Sequence, residues 1–397
     1  MRDLKHLIYF EDLLQTANNE LIQKAKKKGG IAVAYTCENV PEPLLNLGKC
    51  FSIRLSAPQT GSMDIATFYM TNLLCEPSRA LLERAIEGGF NFADCVITPD
   101  GCTMMNRCVE NMELLETMGK DNPNFFHQYM EIAFKNTDND VNLSVLQCTN
   151  HVLNPLHEHY GVDISDKAIR KAVEAHNRLC RVITEIGNFR KLPNPPITGY
   201  EFHVIQLVSE VCPHELILPY LEETLEELKT REPEPKFPFR ARVVVVGSEI
   251  DDPEFTKLIE SCGAMVVADR YCFGSFPGRE EIEIFGNETA FDAVCRHYLH
   301  WNQCARFMDG MKIEQRTHEV QRLVKEFSAD GVIYENMKFC EFWSYEKVLQ
   351  SHIFINELNV PTCTIEKEYM LGAVGQLRTR FQAFIESLEI KQIQGGK

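Results

Sequence analysis

Positive charge is in short supply in this chain. Against 57 aspartates and glutamates it carries 41 lysines and arginines, a net charge of −16 over 397 residues. Repulsion from phosphate then opposes general binding to nucleic acid or to an acidic membrane. No apolar run approaches 18 residues, so no membrane-spanning helix is expected. Met1 to Glu11 is charged throughout with no uninterrupted apolar core; it does not read as a secretory signal, and a cytoplasmic location is expected. Several catalytic signatures are also missing. There is no G-x-x-x-x-G-K-[ST] loop, and Val246-Gly247-Ser248-Glu249 lacks the other glycines of a dinucleotide fingerprint. There is no G-x-S-x-G elbow, no H-E-x-x-H and no C-x-x-C pair, which removes the usual mark of zinc ribbons and thioredoxin-type chemistry. His157-Glu158-His159 reads as a solvated helix start or loop, and His297 and His300, beside Trp301, as packing residues on one helical face.

What remains is a globular balance, 44% hydrophobic and 25% charged, in a chain long enough for two to three domains. Fifteen cysteines are too sparse for a small disulfide scaffold, and their odd number fits a disulfide framework poorly. Some read as small buried hydrophobes and others as thiolate ligands.

The element pattern predicts an α/β fold: two doubly wound parallel-sheet lobes joined by a helical connector. Residues 1–30 read as a helical arm from Asp3 to Lys28, stopped by Gly29-Gly30. Residues 31–160 form the first lobe, with strands at Ile31–Tyr35, Asp94–Pro99 and Leu143–Leu146 and helices at Pro77–Gly88 and Thr103–Met118. Residues 161–238 are helical in two amphipathic stretches, Ser165–Arg190 and Thr198–Arg231, closed by the stiff linker Arg231–Pro238. Residues 239–397 restart the alternation at Arg242–Gly247, with strands at Gly263–Ala268, Gly331–Tyr334 and Pro361–Ile365 and a final helix from Leu371 to Leu388.

Ligands in such sheets gather beyond the carboxyl ends of the strands. Cys37, Cys102 and Cys340 follow predicted strands at that end, and Cys102 sits at the mouth of a helix, where a thiolate is stabilised.

Several segments resemble the 2-hydroxyacyl-CoA dehydratase and benzoyl-CoA reductase family. They are Tyr35-Thr36-Cys37-Glu38-Asn39-Val40-Pro41-Glu42-Pro43-Leu44-Leu45 with Gly48 and Arg54-Leu55, Cys75-Glu76-Pro77-Ser78-Arg79, and Asp94–Cys102. In the second half follow Asp330-Gly331-Val332-Ile333 with Lys338-Phe339-Cys340-Glu341, then Val360-Pro361-Thr362, Ile365-Glu366 and Gly375–Glu386. The resemblance runs from about residue 29 to 388, in order and in both lobes. It departs from the family pattern at Glu38, at Pro43 in place of a second acid, at Asn46-Leu47-Gly48 and at an extra Cys50, so no relative's substrate carries over.

The resemblance implies an oxygen-sensitive iron–sulfur enzyme subunit with a [4Fe–4S] cluster between the lobes, held by Cys75, Cys102 and Cys340, with one iron left open. It implies a separate ATP-hydrolysing iron–sulfur activator that supplies a low-potential electron, a homologous second subunit, and radical dehydration or reduction of an acyl-CoA thioester. Glu38 and Glu42 are candidates, by location, for the proton that must leave later. Some family members instead carry a double-cubane [8Fe–9S] cluster on six cysteines, form homodimers and reduce small molecules. Cys37, Cys304 and Cys272, or Cys108 in place of Cys272, would complete that set. Cys108 lies a turn and a half beyond Cys102 and points to another side of its helix.

Overall fold

The computed structural model describes residues 3–58, 60–233, 239–275 and 279–395. The expected single arm is two helices, α1 (Leu7–Leu14) and α2 (Glu20–Lys27). The break is local chemistry: the Asn19 side chain accepts the N–H groups of Leu21 and Ile22 at 3.1 Å each and starts a new helix.

The first lobe contains β1 (Ile31–Tyr35), β2 (Cys50–Arg54), α3 (Asp64–Met70), α4 (Glu76–Ile86), β3 (Cys95–Pro99), α5 (Thr103–Leu114) and β4 (Phe126–Met130). Its strands pair in parallel in the order β2-β1-β3-β4. Five helices follow: α6 (Asp138–Cys148), α7 (Asn154–Tyr160), α8 (Asp166–Asn188), α9 (Gly199–Val211) and α10 (His214–Leu228). The second lobe holds β5 (Ala241–Gly247), α11 (Glu254–Ser261), β6 (Ala264–Tyr271), α13 (Gly310–Glu326), β7 (Gly331–Met337), α14 (Glu341–His352), β8 (Thr362–Lys367) and α15 (Val374–Gly395), while α12 (Ala290–His300), between β6 and α13, packs back on α6 and α8 in the first lobe's core. The order β6-β5-β7-β8 repeats that of the first sheet, again all parallel.

Helices cover both faces of each sheet, which is why the central strands read as unbroken apolar runs. Along β1, Val33 and Tyr35 face one core while Ala32 and Ala34 face another. In β5, Val243 and Val245 part in the same way from Val244 and Val246.

Three expectations need correction. Leu143–Leu146 is not a strand but lies inside α6. Thr137 and Asp140 form a reciprocal capping box at its start, and Leu146 is 54% exposed. The stretch from Thr198 to Arg231 is two helices, because Pro213 has no N–H to give and pushes Cys212 into an extended conformation. The strands β2 and β4 were not expected. Of the linker Arg231–Pro238, residues 234–238 lie outside the described residues. Among the described residues no helix is long and apolar enough to cross a membrane.

Candidate functional site

The fold sorts the cysteines by exposure. Eight are buried in the cores, among them Cys108 on α5 and Cys50 on β2. Seven are half-buried: Cys37, Cys75, Cys102, Cys272, Cys304 and Cys340, with Cys363 on β8 the seventh. The six named first are the candidate ligands of the sequence reading.

Cys75, Cys102 and Cys340 occupy the same local geometry. Each is the residue on which a helix starts, α4, α5 and α14 respectively, with an extended backbone. Helix N-termini carry partial positive charge, so all three thiols sit where negative charge is favoured. They also feel one another. Burial pushes the Cys102 thiol up to about 12, with Cys75 and then Cys304 adding to the rise and the N–H groups of Met105 and Met104 opposing it. Burial raises Cys340 too, with Cys102 and Cys75 contributing. Thiols that resist ionising alone, set this close, need a cation between them to become thiolates together.

Cys37, Cys272 and Cys304 form a second set. Burial raises Cys272, and Cys37 and Cys304 are among its neighbouring charges. Cys304 rises to about 11, by burial and then by Cys37. The segments that carry these thiols are tied together: Asn39 donates to Cys37 Sγ at 3.2 Å, Asn302 donates to Asn39 Oδ1, and Asn302 Oδ1 accepts the Cys304 N–H at 2.8 Å. Arg306 donates to the carbonyls of Asp100 and Ala133 at 3.3 and 3.4 Å, fixing the Cys304 segment to the first lobe.

Each set draws on both lobes. Arg54, at the end of β2 and only 1% exposed, crosses the same junction. It pairs with Glu38, with Glu210 at 3.3 Å and with Glu249 at 3.3 Å, and donates to the Cys272 carbonyl at 2.9 Å. Its ring of acids carries more negative charge than one guanidinium balances. Burial, then Glu210, holds the Glu38 carboxyl well above its usual range despite Arg54. Burial raises Glu249 to about 7.

The two candidate acids part company. Glu38 lies with Arg54. Glu42, 3% exposed, turns to two histidines: His214 Nε2 stands 2.9 Å from one carboxylate oxygen and His176 Nδ1 3.7 Å from the other. Arg279, Glu210, Glu249, His176 and His214 were not foreseen; isolated charged residues in helices and loops give no signal until the fold buries them together. His157 and His159 face backbone carbonyls, of Val162 at 2.9 Å and Asn124 at 3.0 Å.

Among the described residues no three His, Cys, Asp or Glu side chains stand close enough to hold a single metal ion. A cluster asks for something else: soft donors set wider apart, with several irons and sulfides between them. Half-buried thiols at three helix N-termini, with three more alongside, suit that donor chemistry. Residues 37–388 match the family described as 2-hydroxyglutaryl-CoA dehydratase, D-component. The chain belongs to this family. Among curated relatives, the (R)-phenyllactyl-CoA dehydratase beta subunit of Clostridium sporogenes is 21% identical over 388 residues, 96% of this chain and 97% of that one. The (R)-2-hydroxyglutaryl-CoA dehydratase subunit beta of Acidaminococcus fermentans is 25% identical over 377 residues, 93% of this chain and 95% of that one. The family match begins at Cys37, just after β1, and ends in α15, so it spans all six half-buried candidates and every strand but β1.

Proposed function

We propose that this chain is an iron–sulfur enzyme subunit of the 2-hydroxyacyl-CoA dehydratase type. It would act on an acyl-CoA thioester with a low-potential electron from a separate ATP-hydrolysing activator. The observation that carries the reading is the placing of Cys75, Cys102 and Cys340 on three helix N-termini within one another's electrostatic reach. Those three would hold a [4Fe–4S] cluster, which supplies a one-electron donor and an open, Lewis-acidic iron.

The chain's own residues set the surroundings. Three helix N-termini and the guanidinium of Arg306, beside Cys304, Cys37 and Cys102, favour negative charge there. Glu38, whose carboxylate burial makes a stronger base than usual, is the proposed acceptor of the proton that leaves the substrate. Beside the thiols, α3 packs on α4 and α5 and exposes Phe68 at 85% and Leu73 follows at 68%. We assign that apolar face to a second subunit.

A second reading has its own observation. Cys37, Cys272 and Cys304 make a second set of three, the number a second cubane requires. A double-cubane [8Fe–9S] cluster in a homodimer that reduces small molecules would use all six thiols.

Iron and acid-labile sulfide per chain, on protein purified without oxygen, separate the readings. Near four irons, lost in Cys102→Ala and kept in Cys37→Ala, supports the single cubane. Near eight, with both variants lowering the count, supports the double cluster. Near zero after anaerobic reconstitution sinks both.

A further inference from the structure

A second polar centre lies behind the junction. A cavity of about 260 Å³ opens between α2, β2, α8 and α10, and its lining includes Lys28, Asn46, Lys49, His176, His214 and Glu215. Behind the two lining histidines, His176 and His214, lies Glu42, on which both converge. The groups facing Glu42 come from every element around it: Tyr35 of β1 and Ser52 of β2, each with its hydroxyl 3.4 Å away, His176 of α8, His214 of α10, and Tyr298 of α12, whose hydroxyl accepts the Glu42 N–H at 3.1 Å. Arg279 and Glu38 add their charges, and His297 and Cys180 complete the surroundings of His176.

Two features set the trio apart from ordinary packing. His176 is 3% exposed, yet its Nδ1 has no hydrogen-bond partner, an arrangement that a structural histidine avoids. A Glu42 oxygen lies 3.7 Å from that nitrogen, too far for a hydrogen bond but within ion-pair reach of an imidazolium. The trio is also coupled to the thiols by charge. The Arg279 guanidinium acts on both Glu42 and His176, and it pairs with Glu210 at 3.1 Å, Glu210 with Arg54, and Arg54 with the Cys272 carbonyl.

We propose that Glu42, His176 and His214 form a proton-loading site, which takes one proton from the cavity for each electron that enters the thiol-lined junction. The balance is simple. One electron comes from an external low-potential reductant, one proton comes from water through the cavity, and an imidazole becomes an imidazolium facing the Glu42 carboxylate. The buried interior then gains no net charge, which matters because an uncompensated charge is costly away from water. In the resting state His176 is neutral and faces an ionised Glu42. Burial holds His176 down at about 3, and His214, Arg279 and His176 hold Glu42 at about 2 against its own burial.

The inference rests on the junction being a reducing centre, so its test has an arm that needs no iron. In cluster-free protein, nitrogen NMR of labelled histidine is expected to find His176 neutral down to pH 5; an ordinary titration near 6.5 overturns the proposal whatever the iron content. In the iron-loaded protein the midpoint potential is expected to fall about 59 mV per pH unit between pH 6 and 8, a tenfold change in equilibrium per tenfold change in proton concentration. Dye-detected proton uptake should approach one per electron. His214→Gln and His176→Gln should each flatten the slope and cut the uptake at least twofold, with iron content unchanged. A pH-independent potential in the wild type, or an unaltered slope in both variants, overturns the proposal; failure to bind iron overturns the cluster reading instead.

Discussion

Arg316 gives the sharpest test of how the second lobe holds its thiols. It lies on α13, 5% exposed, and grips Glu346 of α14 with two parallel bonds of 2.7 and 2.8 Å. Its remaining donor serves the carbonyls of Phe307 at 2.7 Å and Cys304 at 3.4 Å. Replacing it by methionine keeps most of the volume but leaves a buried carboxylate with no cation and two carbonyls with one donor fewer. Breaking a buried pair from one side costs about 3–5 kcal/mol. Replacing both partners, in Arg316→Met with Glu346→Leu, removes the stranded charge and should recover about half of that loss. What persists is the unsatisfied carbonyls, at roughly 1–3 kcal/mol. The assay is built into the chain. Of two tryptophans, Trp301 is 51% exposed, and Trp343, on α14 one turn before Glu346, is 4% exposed. In a Trp301→Phe background, urea unfolding followed by Trp343 fluorescence reports on this lobe, where a whole-chain transition in a protein of this size need not be two-state. A Trp343 midpoint for Arg316→Met equivalent to less than about 1 kcal/mol of loss, or a double variant as damaged as the single one, would refute the reasoning.

Three further outcomes are expected. Cys108→Ala should cost roughly 1 kcal/mol in the core and leave the iron count untouched, since its thiol is fully buried among apolar neighbours; a lowered count would make Cys108 a ligand. His203, buried between Thr256 and the Ile250 carbonyl, folds neutral, its value lowered to about 4 by burial from an ordinary 6.5. The unfolded chain binds that proton first, so the contribution of His203 is complete above pH 6.5 and fades as pH falls towards 4, by up to about 1.4 kcal/mol per pH unit. His203→Gln should therefore flatten the acid fall in urea stability across that window, and an unchanged slope would count against it. Phe68→Asp should weaken subunit association at least tenfold by analytical ultracentrifugation while leaving iron content intact; an unchanged dissociation constant would move the second subunit to another face.

Much of the fold was legible because buried parallel strands write themselves as apolar runs. Ile31–Tyr35, Arg242–Gly247 and Gly331–Tyr334 were read that way. β2 escaped because Ser52 and Arg54 interrupt the run, although both are fully buried. Their polarity serves the junction, Ser52 bonding Asn46 and Arg54 bonding Glu38, Glu210 and Glu249, and a local pattern cannot know that the last two lie far along the chain. β4 (Phe126–Met130) is an edge strand with half-exposed His127, Gln128 and Tyr129, so it lacked the run altogether. The misread quartet Leu143–Leu146 had its correction in plain view, in the Thr137-x-x-Asp140 spacing of a helix start. At the site, Cys102 and Cys340 could be placed from the strands before them. Which of the other thirteen cysteines remain half-open was not legible, because exposure depends on where two lobes meet.

That meeting also sets an order of events in the making of the protein. Each proposed thiol set mixes early and late residues: Cys340 with Cys75 and Cys102, and Cys272 and Cys304 with Cys37. At roughly 5–20 residues per second on the ribosome, the first-lobe thiols wait on the order of ten seconds or more before their partners are synthesised. Under the proposed function, neither set is complete before the second sheet has formed, and its early cysteines must stay reduced until then.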